Sequence, residues 1–187
     1  LMNENYSHPK RPKNATTENI IKGAYRYLEN KDPSLRILAS GVTLNFAVDA
    51  EKELKKLGIS TEIWSVTSFN ELYKDGIEVE RLNRYENKKS VSYVESCFSE
   101  CLPTVAVSEY VRAYTNQIRQ WINGDYITLG TDGFGRSDTR EELRNYFEIS
   151  KDHIVINALI VSGNKDKAEK YIKDKKIDLN AKAPWLR

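Results

Sequence analysis

From residue 35 onward, short runs of apolar and β-branched residues alternate with longer stretches whose apolar positions recur every three or four residues. The short runs are Leu35–Ala39, Thr61–Val66, Thr104–Val107 and Tyr126–Leu129. Their length and β-branched or aromatic content predict four strands. After Ser40-Gly41, a stretch reaching Leu57 carries Leu44, Val48 and Leu54 as its apolar positions and Glu51, Lys52, Lys55 and Lys56 as its polar ones. That spacing predicts a helix, with Gly58 where a C-cap belongs. Residues 91–98 predict another helix. Tyr110, Tyr114, Ile118 and Ile122 fall four apart and predict one helix over residues 110–122, packed on a sheet. Residues 141–147 read as helix, with Asp138 and Glu141 as its capping box. A charged helix over Lys165–Lys175 has Ala168, Tyr171 and Ile172 as its apolar contacts. Residues 153–161 conflict with themselves, because the run Ile154-Val155-Ile156 has strand propensity. Strands alternating with helices across short connections predict an α/β domain with a largely parallel sheet covered on both faces.

The first 34 residues differ in character. Pro9, Pro12 and Pro33, among Asn and Lys, discourage long regular structure and predict a linker over residues 1–34, with a short helix within 18–28. Residues 35–187 then form one domain. The first residue is Leu1 and not an initiator Met, which reads as a boundary inside a longer polypeptide. The basic Lys10-Arg11-Pro12-Lys13 patch is a solvated linker or an anion-binding arm.

Charge excludes some partners. Net charge is +2 with 30% charged residues of both signs interspersed, unlike the clustered basic excess of a nucleic-acid surface. No apolar run approaches the roughly 18 residues of a membrane helix, and no signal-peptide pattern opens the chain. Cys97 and Cys101 have no second Cys or His pair for a zinc site, so they read as reduced thiols of a cytoplasmic protein.

Candidate chemistry concentrates at two strand-to-helix corners. Gly130-x-x-Gly133-x-Gly135 lies where phosphate loops occur, but it lacks the dinucleotide spacing and a Walker lysine. Arg136 and the helix N-terminus could hold an anion. Asp132 and Asp138 already supply carboxylates there, so a rigid glycine turn is the simpler reading. Asp132, Asp138 and Glu109 follow predicted strands, where α/β sheets bind ligands. No base, nucleophile or metal cluster accompanies them, and Ser137 with His153 makes no triad. No catalytic, cofactor-binding or metal-ligating residue is predicted. At the other corner, Ser68 caps a short helix and Phe69 packs under it, or both corners dock on a neighbouring domain. The docking candidates are Asp132, Gly133, Phe134, Gly135, Arg136, Ser137, Asp138, Ser68 and Phe69.

Three motifs carry a family resemblance. Thr131-Asp132-Gly133-Phe134-Gly135-Arg136-Ser137-Asp138-Thr139-Arg140 resembles the loop in the last domain of the homodimeric pyruvate dehydrogenase first component. Trp64-Ser65-Val66-Thr67-Ser68-Phe69-Asn70-Glu71-Leu72, closed by Asp75-Gly76, is similar to a second signature of that family. Met2-Asn3-Glu4-Asn5-Tyr6 resembles its junction with the upstream pyrimidine-binding domain. Leu1-Met2 looks like the tail of that domain's last strand, and Ile177-Asp178 with Pro184 and Leu186 looks like the family's C-terminus. Two departures stand out: Leu82-Asn83-Arg84-Tyr85-Glu86 replaces the family's Trp-Asn-x-x-His-Pro, and Ser108-Glu109-Tyr110-Val111-Arg112 replaces Thr-Asp-Tyr-x-Lys.

The resemblance implies a transketolase C-terminal domain-like three-layer sandwich, with a mostly parallel, mixed sheet of about five strands and one antiparallel. It also implies a helix over residues 153–161 with Ser150 as N-cap. In the parent, thiamine diphosphate and Mg²⁺ bind upstream and none would bind here. The parent is expected to be a homodimer that decarboxylates pyruvate and reductively acetylates lipoyl groups of dihydrolipoyl acetyltransferase. This domain would support dimer assembly and shape the approach to the active site. The alternatives are the C-terminal domain of a transketolase or another 2-oxo acid dehydrogenase, and a free-standing anion- or partner-binding module.

Overall fold

The computed structural model describes residues 6–86 and 89–187. Leu1 and the first four residues of the Met2-to-Tyr6 motif lie outside them. Five strands form one sheet in the order β1-β3-β2-β4-β5: β1 Ala24–Glu29, β2 Leu35–Ala39, β3 Thr61–Val66, β4 Thr104–Val107 and β5 Tyr126–Leu129. The last four pair in parallel, and β1 runs antiparallel to β3. This is the α/β, mixed five-stranded architecture expected from the resemblance.

The strand β1 lies inside the stretch expected to be linker. Prolines at 9, 12 and 33 dominated that reading, yet none falls between 24 and 29. The helix α1, Thr17–Lys22, ends at Gly23, whose φ of +110° favours glycine. A Cβ at Gly23 would also meet the Ser68 carbonyl oxygen at 2.6 Å. The turn therefore lays Ala24 directly against Val66, and β1 starts there.

Two helical layers cover the sheet. On one face lie α2 (Thr43–Lys56), α7 (Lys151–Val161) and α8 (Lys165–Lys175). They pack Leu54, Ile154, Leu159 and Tyr171 against Ile37, Ile63 and Val105. On the other lie α3 (Phe69–Glu86), α4 (Tyr93–Cys97) and α5 (Arg112–Asn116). There Leu38, Trp64, Val66 and Ala106 meet Phe69, Leu72, Phe98, Ile118 and Trp121. Successive strand residues feed opposite cores, as the pleat requires. Both faces being buried explains why these strands read as mostly apolar runs and not as an alternation of apolar and polar residues.

Several local expectations change. Residues 110–122 do not form one helix. After α5 the chain passes through Ile118 into a 3₁₀ turn, Arg119–Trp121, which carries Ile118, Trp121 and Ile122 into the core at near-helical spacing. Tyr110 precedes the helix and is exposed. The helix after Ser68 is long, not short, at 18 residues. The last connection of the sheet leads to α6, Arg140–Tyr146, whose N-cap is Thr139 and not Asp138: Thr139 Oγ1 accepts from the Glu142 N–H. Residues 153–161 are helical because α7 is buried against the sheet and α2, a tertiary setting that outweighs β-propensity. Ser150 holds the N-cap position but turns its hydroxyl to His153 Nδ1 at 2.9 Å, making no cap bond.

One polar pair sits inside the sheet. Arg36 and Glu62 are register partners on β2 and β3, each side chain 1% exposed, and their ion pair is joined by Arg26 at 3.3 Å from Glu62 Oε2.

Candidate docking loop and strand-end cleft

The sheet order reverses between β2 and β4, where α/β proteins usually hold ligands beyond the carboxyl ends of the strands. A cleft of roughly 970 Å³ opens there, with Ser40, Ser65, Ser108, Tyr114, Arg140 and Arg144 among its walls. The chain's own first described residues, Tyr6 to Pro9, form part of its wall. Asn45 Nδ2 donates to the Ser7 carbonyl at 3.0 Å, and Arg144 donates to the Tyr6 hydroxyl at 3.3 Å. The Arg140 guanidinium lies 4.7 Å from the Tyr6 ring centroid.

Among the described residues, Glu109 is the one carboxylate of the cleft, and it pairs with Arg144 at 3.1 Å. The Ser108 hydroxyl accepts from the Tyr110 N–H at 3.0 Å. A general base needs a lone pair open to substrate, and a hard cation needs converging oxygens. Among the described residues no three His, Cys, Asp or Glu side chains converge. This donor set does not fit Mg²⁺ with thiamine diphosphate, and no step through that group follows for these residues.

The second feature is the loop after β5. Thr131 anchors it: its N–H donates to the Tyr110 carbonyl at 2.9 Å and its hydroxyl to the Glu109 carbonyl at 2.7 Å. Asp132 accepts from the Arg112 N–H at 3.1 Å and pairs with the Arg112 guanidinium. Gly133 has φ +103°, and a Cβ there would stand 3.0 Å from Trp185 Cα. Beyond it Phe134 is 89% exposed, and Gly135, Ser137 and Asp138 are exposed too. Arg136 donates to the Arg187 carbonyl at 2.7 Å and to the Tyr146 hydroxyl at 3.3 Å. Asp138 accepts from the Thr139 N–H at 2.7 Å.

The two predicted corners do not form one face of equal character. Ser68 caps α3, accepting from the Glu71 N–H at 3.1 Å, and Phe69 is fully buried in the domain's own core. Phe69 therefore has no ring surface to offer a neighbour. Phe134 does offer one, being 89% exposed.

The residues that shape the loop were not foreseen. They are Arg112, Tyr146 and the 3₁₀ turn Pro184–Leu186, with the Arg112 guanidinium 4.2 Å from the Trp185 ring centroid. The Pro184-Trp185-Leu186 run, apolar beside a strongly charged helix, was the available signal. Around the patch, Tyr110, Val111, Phe134, Trp185 and Leu186 all leave large apolar area in water.

His153, set aside as no triad member, is buried, and desolvation holds its pKa below the ordinary imidazole value. Cys97 and Cys101 are both free, Cys97 buried and Cys101 exposed. No described helix is long and apolar enough to cross a membrane.

Comparison with known proteins places these features in a family. Residues 23–150 match the model of the Transketolase-like TK C-terminal domain. The Pseudomonas aeruginosa pyruvate dehydrogenase E1 component is 46% identical over 167 residues, covering 85% of this chain and 19% of that protein. The Cupriavidus necator protein of the same name is 36% identical over 197 residues, covering 98% of this chain and 22% of its own. The chain thus spans about a fifth of the length of these relatives. Among solved structures, the transketolase from Leishmania mexicana superposes with a TM-score of 0.59 at 21% identity, over 81% of this chain and 19% of that one. The match begins at residue 23, so β1 is part of the family's domain.

Proposed function

Because this chain belongs to the Transketolase-like TK C-terminal domain family, we propose that it serves as the non-catalytic terminal domain of a pyruvate dehydrogenase E1 component. The longer polypeptide would work in the cytoplasm as a homodimer. It would decarboxylate pyruvate with thiamine diphosphate and Mg²⁺ held elsewhere, and reductively acetylate the lipoyl groups of dihydrolipoyl acetyltransferase. The observation that carries the reading is the 46% identity to a relative of that name, against 19–21% to transketolases. That gap favours it over a transketolase.

Within that protein the domain would have a structural task, with residues 1–22 leading into it and the loop at 131–138 docking on a neighbouring part of the dimer. Burying an exposed phenylalanine is worth roughly 1.5–3 kcal/mol, enough to bias an assembly and too little to hold one alone. The test is pyruvate-dependent CO₂ release and lipoyl acetylation by the longer polypeptide, with and without Phe134→Ala. Activity in the parent that falls with dimer affinity in the variant supports the reading. A parent inactive on pyruvate overturns the assignment, and an active parent indifferent to Phe134→Ala overturns the docking role.

A further inference from the structure

The docking loop has an inward side, and it is built around residues 182–187. Gly133 lets the Trp185 backbone approach to a distance a Cβ would occupy. Arg112, fixed by Asp132 through both its N–H and its guanidinium, stacks on the Trp185 ring. Arg136 spans two acceptors, the Arg187 carbonyl and the Tyr146 hydroxyl, which itself donates to the Pro184 carbonyl at 3.3 Å. Arg187 is held in return by Glu148 at 3.3 Å. Three of the loop's residues thus contact one short segment, directly or through Arg112.

We propose that residues 131–136 form a binding site for residues 182–187 of the same chain, and that occupancy by this segment holds the loop in the form that presents Phe134. The site reads an aromatic ring, a backbone approach and the Arg187 carbonyl. This explains why the loop's sequence is so specific although it holds no reacting group. Asp132 orients the stacking cation, Gly133 admits the segment, and Arg136 holds the Arg187 carbonyl. Lysine at 136 would reach one acceptor and lose the other. The site for this segment stands on its own contacts, and the use made of Phe134 rests on the docking role proposed above.

The test is the NMR order parameter of the 132–137 amides in this chain and in a version ending at residue 181. Removal of the segment should lower these values from the rigid level of about 0.85 to below about 0.6, while β2, β3 and β4 stay rigid. A synthetic peptide of residues 182–187, supplied at about the millimolar effective concentration of a short tether, should restore them. If the shortened chain does not fold, Trp185→Ala and Arg136→Lys replace it, with the same selective loss expected. Unchanged loop order in a folded variant overturns the proposal. So does global unfolding by all three changes, which would make the segment ordinary core. A selective loss together with a parent indifferent to Phe134→Ala would keep the segment's site and remove the docking role.

Discussion

Replacing Glu62 by Leu should destabilise this domain more than replacing Arg36 by Met, although the two residues form one buried ion pair. Both side chains are 1% exposed. Removing one partner of such a pair leaves a charge in low dielectric and costs about 3–5 kcal/mol. The two halves differ in what remains. Without Glu62, Arg36 keeps the Glu100 carbonyl at 3.4 Å. A carbonyl does not neutralise it, and arginine cannot shed its proton. Without Arg36, Glu62 keeps a cationic partner, Arg26, at 3.3 Å. Glu62→Leu should therefore reach the full 3–5 kcal/mol, about 6–20 °C in Tm for a domain of this size. Arg36→Met should cost roughly 2–3 kcal/mol, below the full penalty of a stranded charge. The double variant should recover much of the loss, since an apolar pair of similar volume is often neutral. Urea unfolding followed by circular dichroism measures all three. Equal costs for the single variants, or a Glu62→Leu cost below about 1 kcal/mol, the size of a surface pair, would refute the argument.

Three other outcomes follow from the packing. Gly76→Ala, normally favourable in a helix by up to about 1 kcal/mol, should destabilise here, because its Cβ would fall 2.4 Å from the Trp121 ring. Urea midpoints and tryptophan fluorescence will show whether the ring is displaced. His153 is buried with a lowered pKa, so its contribution is present above the unfolded value of 6.5 and lost as pH falls below it toward the folded value. His153→Gln should flatten the stability decline below pH 6.5, measured by urea midpoints across that range. A thiol reagent should titrate Cys101 in the native protein and Cys97 on unfolding, since burial raises the Cys97 pKa and hides its sulfur. Two fast native thiols would contradict that.

Most of the sheet was legible in the sequence because strands buried on both faces leave a strong apolar signature. Leu35–Ala39, Thr61–Val66, Thr104–Val107 and Tyr126–Leu129 stand where the pattern put them. The strand β1 lies at the edge of the sheet and is mostly half-buried, so no fully apolar run marks it. Residues 110–122 misled because Ile118 and Ile122 reach the core from the two ends of a 3₁₀ turn, which mimics helical spacing over one turn. The loop at 131–138 was visible as a motif. Its partners were not, because Arg112, Tyr146 and Trp185 meet it only through the tertiary fold. Phe69 shows the opposite limit: its neighbourhood marked a corner, while its burial was a property of the whole packed face.

The helix α7 carries a hazard that its native setting conceals. Residues 154–161, Ile-Val-Ile-Asn-Ala-Leu-Ile-Val, hold no charge, proline or glycine. Such a segment is a ready unit for cross-β stacking once it leaves its groove. In the fold, burial against α2 and the sheet, with Lys151, Asp152 and Gly163 at its borders, keeps it helical and solitary. When heat separates α7 from that groove, neighbouring molecules should compete with refolding for the same eight residues. Loss of this domain at high concentration would then be governed by how often α7 opens, so its apparent melting point should shift with scan rate and protein concentration.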